Sequence, residues 1–509
     1  MPAIVLATLN ARYAHASLGL RCLRANLGAL RDDSVILEFT IAREPEAIVA
    51  AILAQQPRVV GFGVYIWNVA QTTAVIAGLK ARAPGIVVVV GGPEVSHELD
   101  EQRICALADF VVTGWGDVSF ARLAQQVLHG PRPLMKVHAG EQPALETLRL
   151  PYDEFTDADL RQRNVYVEAS RGCPFKCEFC LSALDKTAWP FPLEAFLAAL
   201  ARLWERGARR FKFVDRTFNL KAATGRAILG LFLERLAAAP DDPPFVHFEL
   251  IPDHLPDGLK ELIVRFPPGS LQFEIGIQTW NPQVQALISR RQDHAAAEAN
   301  LRWLRANSHA HLHVDLIAGL PGEDLASFGA GFDRLCALRP HEIQLGILKR
   351  LRGAPIARHA ATHGLVFDAA PPYAVRSTAA LAAADVARLA RYARYWELIA
   401  NSGRFARTLP RLLGDAPFAR FLRLADWLHG ELGRAHGVPL EALHALLLRW
   451  LVADGFAEAD ARRLLEDDYA ASGAHGRLPF AASGIGAGRR NAAAPTPPRQ
   501  RRRLAATAV

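Results

Sequence analysis

Apolar residues in this chain fall into two alternating patterns. Short continuous runs bounded by Gly, Pro or Asn occupy 3–9, 35–41, 58–64, 86–90 and 109–113, and such runs read as buried strands. Between them, apolar residues recur every three or four positions over 18–30, 44–55 and 70–82, the period of a helix packed on one face. Pro45 stands in the first turn of the second helix, and Pro84-Gly85 stops the third, each where that residue type is tolerated. Strictly alternating strand and helix predicts a doubly wound parallel sheet over residues 1–130. The Val/Ile-rich runs suit strands covered on both faces.

Residues 131–160 carry Pro131, Pro133, Pro143 and Pro151 and read as a linker. Six more strand–helix units follow over 161–360, with strands near 164–169, 210–215, 245–251, 271–278, 311–318 and 342–349. Parallel βα units in series curl into a barrel, and six rather than eight predict a partial (β/α)6 barrel. From 361 to 475 the pattern turns helical and Ala/Leu-rich, with 381–401 and 440–453 the clearest repeats. Residues 476–509 read as a disordered basic tail.

Open parallel sheets bind ligands at the carboxyl ends of their strands, near the point where strand order reverses. In the first sheet those ends hold Ser17 and Gly19, Tyr65 and Trp67, Gly91 and Gly92, and Gly114 and Gly116. Glycine there lets backbone approach a ligand closely.

The chain has 509 residues, 51% hydrophobic and 22% charged, within the range of a globular protein able to bury large cores. No segment approaches the ~20 apolar residues that span a bilayer. The amino terminus enters a strand directly, without the basic region of a signal peptide, and cysteines are few, so a reducing cytoplasm is expected. The net charge is +8, but six arginines, Arg489, Arg490, Arg499, Arg501, Arg502 and Arg503, lie in the tail. The rest is close to neutral, which argues against a nucleic-acid surface.

Three of the six cysteines fall within eight positions, Cys173, Cys177 and Cys180. Three thiolates can hold three irons of a 4Fe–4S cluster and leave the fourth iron open. A disulfide framework would use an even count in a short secreted chain. A structural zinc would need a fourth ligand, and His138, Cys105 and Cys336 are remote in sequence.

The Cys-x3-Cys-x2-Cys run, following the strand at Asn164-Val-Tyr-Val-Glu-Ala-Ser, resembles the radical S-adenosylmethionine (SAM) superfamily. That resemblance implies a 4Fe–4S cluster on Cys173, Cys177 and Cys180 whose open iron binds SAM. It also implies SAM-facing roles. Phe179 would lie near adenine, or simply cover the cluster. Asp215 and Asn219, in Phe213-Val-Asp-Arg-Thr-Phe-Asn, would point into the barrel top, unless they cap a helix. Glu274 and Gln278, in Phe273-Glu-Ile-Gly-Ile-Gln, would receive ribose and methionine groups. Arg291 would pair with the SAM carboxylate, and Ile317 would offer backbone to adenine. Glu249, ending the third barrel strand, would face the same cavity and orient SAM or substrate. Glu323 supports the helix that follows it.

The first domain resembles the flavodoxin-like cobalamin-binding domain that precedes many radical SAM barrels. The matching stretches are Ser17-Leu-Gly-Leu, Val89-Val-Gly-Gly-Pro-Glu and Thr113-Gly-Trp-Gly-Asp. The Asp-x-His-x-x-Gly motif that supplies a cobalt ligand is absent: His15 stands four residues before Gly19, with no aspartate two before it. The resemblance implies cobalamin without a histidine beneath it. Together these features predict a radical SAM enzyme that transfers a methyl group from cobalamin to an unactivated carbon. It would take a small-molecule substrate, with flavodoxin or ferredoxin as electron donor and no membrane partner. Cobalamin-assisted oxidative cyclisation, tRNA or protein methylthiolation, and a non-catalytic sensor are the alternatives. Methylthiolation would require three further cysteines in the first domain, which holds only Cys22 and Cys105. The substrate and any catalytic side chain are not legible.

Overall fold

The computed structural model describes residues 1–474, 476–480 and 496–507. It divides into two compact units. The first comprises Met1–Arg216, Lys349–Ala357 and Asp368–Ala374; the second comprises Thr217–Leu348, Arg358–Phe367 and Val375–Val509.

The first unit opens with β1 (Ile4–Asn10), α1 (Leu18–Ala25), β2 (Ser34–Thr40), α2 (Pro45–Leu53), β3 (Val59–Gly63), α3 (Val69–Arg82), β4 (Val87–Gly91), α4 (Arg103–Leu107), β5 (Phe110–Thr113), α5 (Asp117–His129) and β6 (Val137–Ala139). The strands run parallel in the order β2-β1-β3-β4-β5-β6. This is a doubly wound, flavodoxin-like order that reverses between β1 and β3. Successive strand side chains point to opposite faces, so Val5, Ala7 and Leu9 enter one core with Ile48, Ile76 and Leu79. Ile4 and Leu6 enter a second core with Leu20, Phe120 and Leu123. The first predicted helix ends five residues early, because Gly28 turns the chain at φ +59 after Ala25.

The expected linker is not all linker. Val137–Ala139 adds a parallel edge strand to β5, and α6 (Asp157–Gln162) begins at a capping box made by Thr156 and Asp159. Proline spacing hid both, since a three-residue edge strand carries almost no periodic signal. The unit continues with β7 (Val165–Val167), β8 (Ser170–Gly172), β9 (Ala188–Pro190), α7 (Leu193–Glu205) and β10 (Arg210–Phe213). β7 and β10 are parallel, and β8 and β9 form a short antiparallel pair around the cysteines.

The second unit contains α8 (Ala222–Ala238), β11 (Phe245–Leu250), α9 (Asp257–Ile263), β12 (Leu271–Gln278), α10 (Pro282–Leu287), α11 (His294–Asn307), β13 (His311–Ala318), α12 (Leu325–Ala337) and β14 (Glu342–Ile347). Strands β11 to β14 are parallel in sequence order. One face is apolar throughout: Leu271, Phe273, Ile275 and Ile277 of β12 are buried. The other carries His247, Glu249, Glu274, His313, Asp315 and Glu342.

The short pair β15 (Val366–Phe367) and β16 (Val375–Ser377) leads to α13 (Ala383–Trp396), α14 (Leu409–Leu413), α15 (Pro417–Leu432), α16 (Leu440–Ala453) and α17 (Glu458–Ala471). Their core is aromatic: Phe332 of α12 meets Tyr392, Trp396 and Phe418 at ring-centroid distances of 5.3, 4.8 and 5.9 Å.

The tail departs from the expectation of disorder over 476–509. Leu478 is buried against Tyr469, and Pro498–Thr507 forms α18. Arg499 pairs with Glu342 at 3.4 Å and with Glu397, and Gln500 donates to Gln272 at 2.5 Å. Composition hid the helix because Arg499 is balanced by carboxylates distant in sequence, while Arg502 and Arg503 donate to the carbonyls of Ser402 and Ala400. Arg489 and Arg490 lie outside the described residues. Among the described residues, no helix is long and apolar enough to cross a membrane.

Replacing Phe332, which is fully buried, by alanine is expected to cost about 3–5 kcal/mol. A lowered denaturant midpoint at unchanged slope, read by circular dichroism, checks it.

Candidate functional site

Helix α1 and the carboxyl ends of β3, β4 and β5 surround a cavity of about 360 Å³ in the first unit. Gly19, Tyr65, Gly91, Gly92, Gly114 and Gly116 all line it, so six of the eight residues named there from sequence come together. Trp67 and Ser17 are not in the lining; the Ser17 hydroxyl instead accepts from the Leu20 N–H at 3.3 Å and caps α1. Asn68, fully buried, ties the switch point by donating to the Leu9 carbonyl at 3.1 Å and the Gly63 carbonyl at 3.2 Å. Its Oδ1 accepts from the Tyr65 N–H at 2.8 Å. Tyr65 stacks on exposed Trp67 with ring centroids 4.4 Å apart.

Two glycines of the first sheet are sterically required. At Gly92 (φ +113) a Cβ would lie 2.5 Å from the Val64 carbonyl oxygen. At Gly61, which also lines the cavity, it would meet the Phe120 ring at 2.9 Å. Gly61, Gly63 and Phe120 were not singled out from sequence; a glycine inside a strand was the available signal.

The cavity has a second wall from the cysteine loop: Glu168, Arg171, Gly172 and Asp185. Arg171 donates to Asp117 at 2.8 and 3.2 Å and to Glu168 at 2.7 Å. Burial opposes its charge, but Glu168, Cys22 and Asp117 outweigh burial and raise its pKa, so it stays cationic. Asp215 accepts from the Ala169 N–H at 2.9 Å and the Ser170 hydroxyl at 2.6 Å. Burial pushes its pKa up to about 6. Asp215 therefore braces the strand entering the cysteine loop and caps no helix. The segment Lys349–Ala357 also reaches this loop: the Ile356 N–H donates to the carbonyl of Glu178 at 2.9 Å. Arg352 pairs with Glu94 and Glu98, at 3.3 and 2.7 Å, and Glu94 accepts from Tyr373 at 2.7 Å. Sequence reading missed this strap, because nothing local marks a segment that returns to an earlier domain.

Cys173 and Cys177 are buried and Cys180 partly so, all as free thiols. Burial, reinforced by Cys180 and Cys177, pushes the Cys173 thiol up to about 11. Phe179 between them is half-buried. His15 lies outside the cavity lining and bonds Tyr166 at 2.5 Å through Nδ1. Burial, with Lys212, Arg12 and Arg163, lowers its pKa.

In the second unit, Glu249 and Glu274 are register partners, and Glu274 meets His247 at 3.0 Å. Gln278 sits at a bulge with φ +70, and its Oε1 is buried without a hydrogen-bond partner among the described residues. A non-glycine residue in that region marks a constrained site. Ile317 is half-buried and pairs with Gly346. Asn219 is fully buried, donating to the carbonyls of Ile251, at 2.9 Å, and His254 while accepting from the Ile251 N–H at 2.8 Å. Arg291 is exposed in a groove with Ser289 and Asp293. Glu323 does not support a helix start: Asp324 caps α12, while Glu323 accepts from Thr279 at 2.6 Å.

A family model described as B12 binding domain matches residues 4–124, and one described as Radical SAM superfamily matches 167–334. This chain is a radical SAM protein with a B12-binding domain. A third model, described as Protein of unknown function (DUF4080), matches 361–489. The 2-(S-pantetheinyl)-carbapenam-3-carboxylate methyltransferase of Streptantibioticus cattleyicolor is 25% identical over 314 residues, 56% of this chain and 46% of that one. The tRNA-2-methylthio-N(6)-dimethylallyladenosine synthase of Ralstonia nicotianae is 25% identical over 270 residues, 51% of this chain and 57% of that one. The chain thus spans about half the length of these curated relatives. The radical SAM methyltransferase TsrM of Kitasatospora setae, with cobalamin and a [4Fe-4S] cluster bound, superposes with a TM-score of 0.56. That match has 17% identity and covers 73% of this chain and 78% of that one; at that identity it speaks for the fold.

The residues of this radical SAM protein fit its cofactors. Among the described residues no three His, Cys, Asp or Glu side chains gather around one point, as a single ion would need. Thiolates that each take a different iron of a cluster need not. Three free thiols on one loop suit an iron–sulfur cluster, which binds them as thiolates. The glycine rim, where a Cβ at Gly61 or Gly92 would collide with the protein itself, leaves backbone open to close approach of a large ring. The orphan Gln278 Oε1 suits a hydrogen-bond donor of SAM.

Glu323 has a pKa raised to about 7 by burial. The native state then binds its proton more tightly than the unfolded chain, so stability falls as pH rises from about 4.5 to 7, by at most ~3 kcal/mol. Glu323→Gln should flatten that slope in denaturation series across this window. Gly63 lines the cavity, and a Cβ there would make ordinary 3.5 Å contacts with Leu20 and Thr8. Gly63→Ala should therefore keep the fold but weaken cobalamin binding about tenfold, the effect of ~1.4 kcal/mol of crowding, measured by equilibrium titration.

Proposed function

We propose that this protein is a cobalamin-dependent radical SAM methyltransferase acting on an unactivated carbon of a small molecule. The observation that carries it is the shared wall: one cavity is lined by the glycine-rich strand ends of the B12-binding domain and by residues adjoining Cys173. A methyl donor and a radical source must serve the same substrate carbon, and a common wall supports that proximity.

When bound, a 4Fe–4S cluster supplies the electron that cleaves SAM to a 5′-deoxyadenosyl radical, and cobalamin supplies the methyl group. Cys173, Cys177 and Cys180 would take three irons and leave one for SAM. Phe179 would shield that loop from water. Glu274 and Gln278 would accept hydrogen bonds from the ribose and ammonium of SAM, with Glu249 beside them. Arg291 would meet the SAM carboxylate, and Ile317 would offer backbone to adenine. Asp215 and Asn219 act one step back, holding the loops after β7 and β11. Water exclusion protects radicals from quenching, and Tyr65 and Trp115 on the cavity wall, with Trp67 stacked on Tyr65, support such exclusion. A flavodoxin- or ferredoxin-like donor in a reducing cytoplasm would deliver the electron.

Methylthiolation has less support, since a second cluster in the B12-binding domain would find only Cys22, beside the cavity, and Cys105, in the core across the sheet.

Anaerobic reconstitution with iron, sulfide and hydroxocobalamin tests the reading. Cluster absorption, bound corrinoid, and dithionite-dependent release of 5′-deoxyadenosine together with S-adenosylhomocysteine are expected. Cys177→Ala should lose the cluster and 5′-deoxyadenosine but retain cobalamin. A wild-type protein with cluster and no corrinoid refutes methyl transfer, and persistence of the cluster in Cys177→Ala refutes the ligand assignment.

A further inference from the structure

Arg171 stands two residues before the first cluster cysteine, yet its guanidinium is shared between Glu168 on its own segment and Asp117 of the B12-binding domain. Nη1 and Nη2 grip Asp117 at 2.8 and 3.2 Å, and Nε and Nη2 grip Glu168 at 2.8 and 2.7 Å. Nη2 also lies 3.4 Å from the Cys22 sulfur. The plane of the fork is covered by Trp115 at 5.1 Å and Phe191 at 5.4 Å. Asp117, Trp115, Cys22, Glu168 and Arg171 all line the cavity. Asp117 is the first residue of α5, where the helix dipole favours a carboxylate.

The link onward to Cys173 is stiff. Gly172 adopts φ +87, and a Cβ there would come within 2.5 Å of the Thr187 carbonyl oxygen and 2.7 Å of the Trp189 ring. The β8–β9 ladder pairs Arg171 with Trp189 and Gly172 with Ala188. A side chain fixed in plane by two carboxylates, on a backbone with no slack, transmits displacement instead of absorbing it. Guanidinium geometry is essential here, because an ammonium is a point charge without a planar fork.

We propose that Arg171 is a positioning residue that couples occupancy of the glycine-rimmed cavity to the environment of the cluster on Cys173. This rests on the cobalamin reading above. A corrinoid that fills the cavity excludes water from Asp117, Trp115 and the fork, and so changes the field and the hydrogen bonding at the cysteine loop, both of which tune a cluster's potential. Linkage is reciprocal: whatever factor the corrinoid applies to cluster reduction, the reduced cluster applies to corrinoid affinity.

The test uses full-length, anaerobically reconstituted protein and a metal-free corrinoid, hydrogenobalamin, which adds no redox centre of its own. The midpoint potential of the cluster is measured with and without it, and the corrinoid affinity by equilibrium titration. For the wild type we expect a shift of about 59 mV, corresponding to tenfold linkage for one electron. Asp117→Asn should bind the corrinoid within tenfold of wild type and retain its cluster, with linkage reduced to twofold or less. Arg171→Met should lose the linkage likewise, and Arg171→Lys, which keeps the charge without the fork, should not restore it. If Arg171→Met takes up no cluster, Asp117→Asn decides. A wild-type potential unmoved by bound corrinoid, or a full shift in Asp117→Asn, overturns the coupling alone. Failure of the wild type to bind either hydrogenobalamin or hydroxocobalamin removes the cobalamin reading and the coupling with it.

Discussion

Burying a guanidinium costs several kcal/mol of desolvation unless its hydrogen-bonding positions are met. Arg171 meets that condition through Asp117 and Glu168 together. Neither carboxylate alone would satisfy both edges of the fork. The strand after the first sheet and the first helix turn beyond β5 must therefore be brought to one place before the charge is stable. The cysteine loop inherits its position from that requirement. Asp215 fixes the same strand from behind through Ala169 and Ser170, so the loop is held on both sides before any iron arrives.

The sheet contributes the space. Parallel order with a reversal between β1 and β3 leaves a crevice at the strand ends, and glycines at Gly61, Gly63, Gly91 and Gly92 deepen it. Packing elsewhere in this sheet is dense, with Val5, Leu6, Val60 and Val88 fully buried. The recess is thus a local exception maintained by absent side chains. The strap at Lys349–Ala357 closes the arrangement, since Arg352 neutralises Glu94 and Glu98 on the loop that follows Gly92.

The second unit solves a different problem, a polar sheet face. Glu342 accepts from His311 at 3.0 Å and contacts His313 at 3.3 Å, while His313 meets Asp315 at 3.2 Å. Burial opposes the His313 charge, but its bonds to Asp315 and Glu342 prevail and raise its pKa to about 10. Such a ladder lets carboxylates and imidazoles share an interior that no single one could occupy unpaired. The helices from α13 onward pack by aromatic contact instead, and α18 brings Arg499 to Glu342.

The chain's order of strands and helices was legible because runs and periods are local properties: β12, β13 and α16 appear where periodicity puts them. The cysteine triplet was legible because a cluster needs its thiolates close in sequence. The glycine-rich strand ends were legible because close backbone approach demands that residue. What the sequence left open depended on partners distant along the chain. Asp215 and Asn219 looked like free polar groups at strand ends until folding gave them backbone donors and acceptors. Nothing near Arg171 in sequence announced its bond to Asp117, and Arg499 in the tail looked like unpaired charge. Residue type constrains what a side chain can bond to, but only tertiary structure decides which of those bonds is offered, because the competing donors and acceptors come from segments brought together by packing.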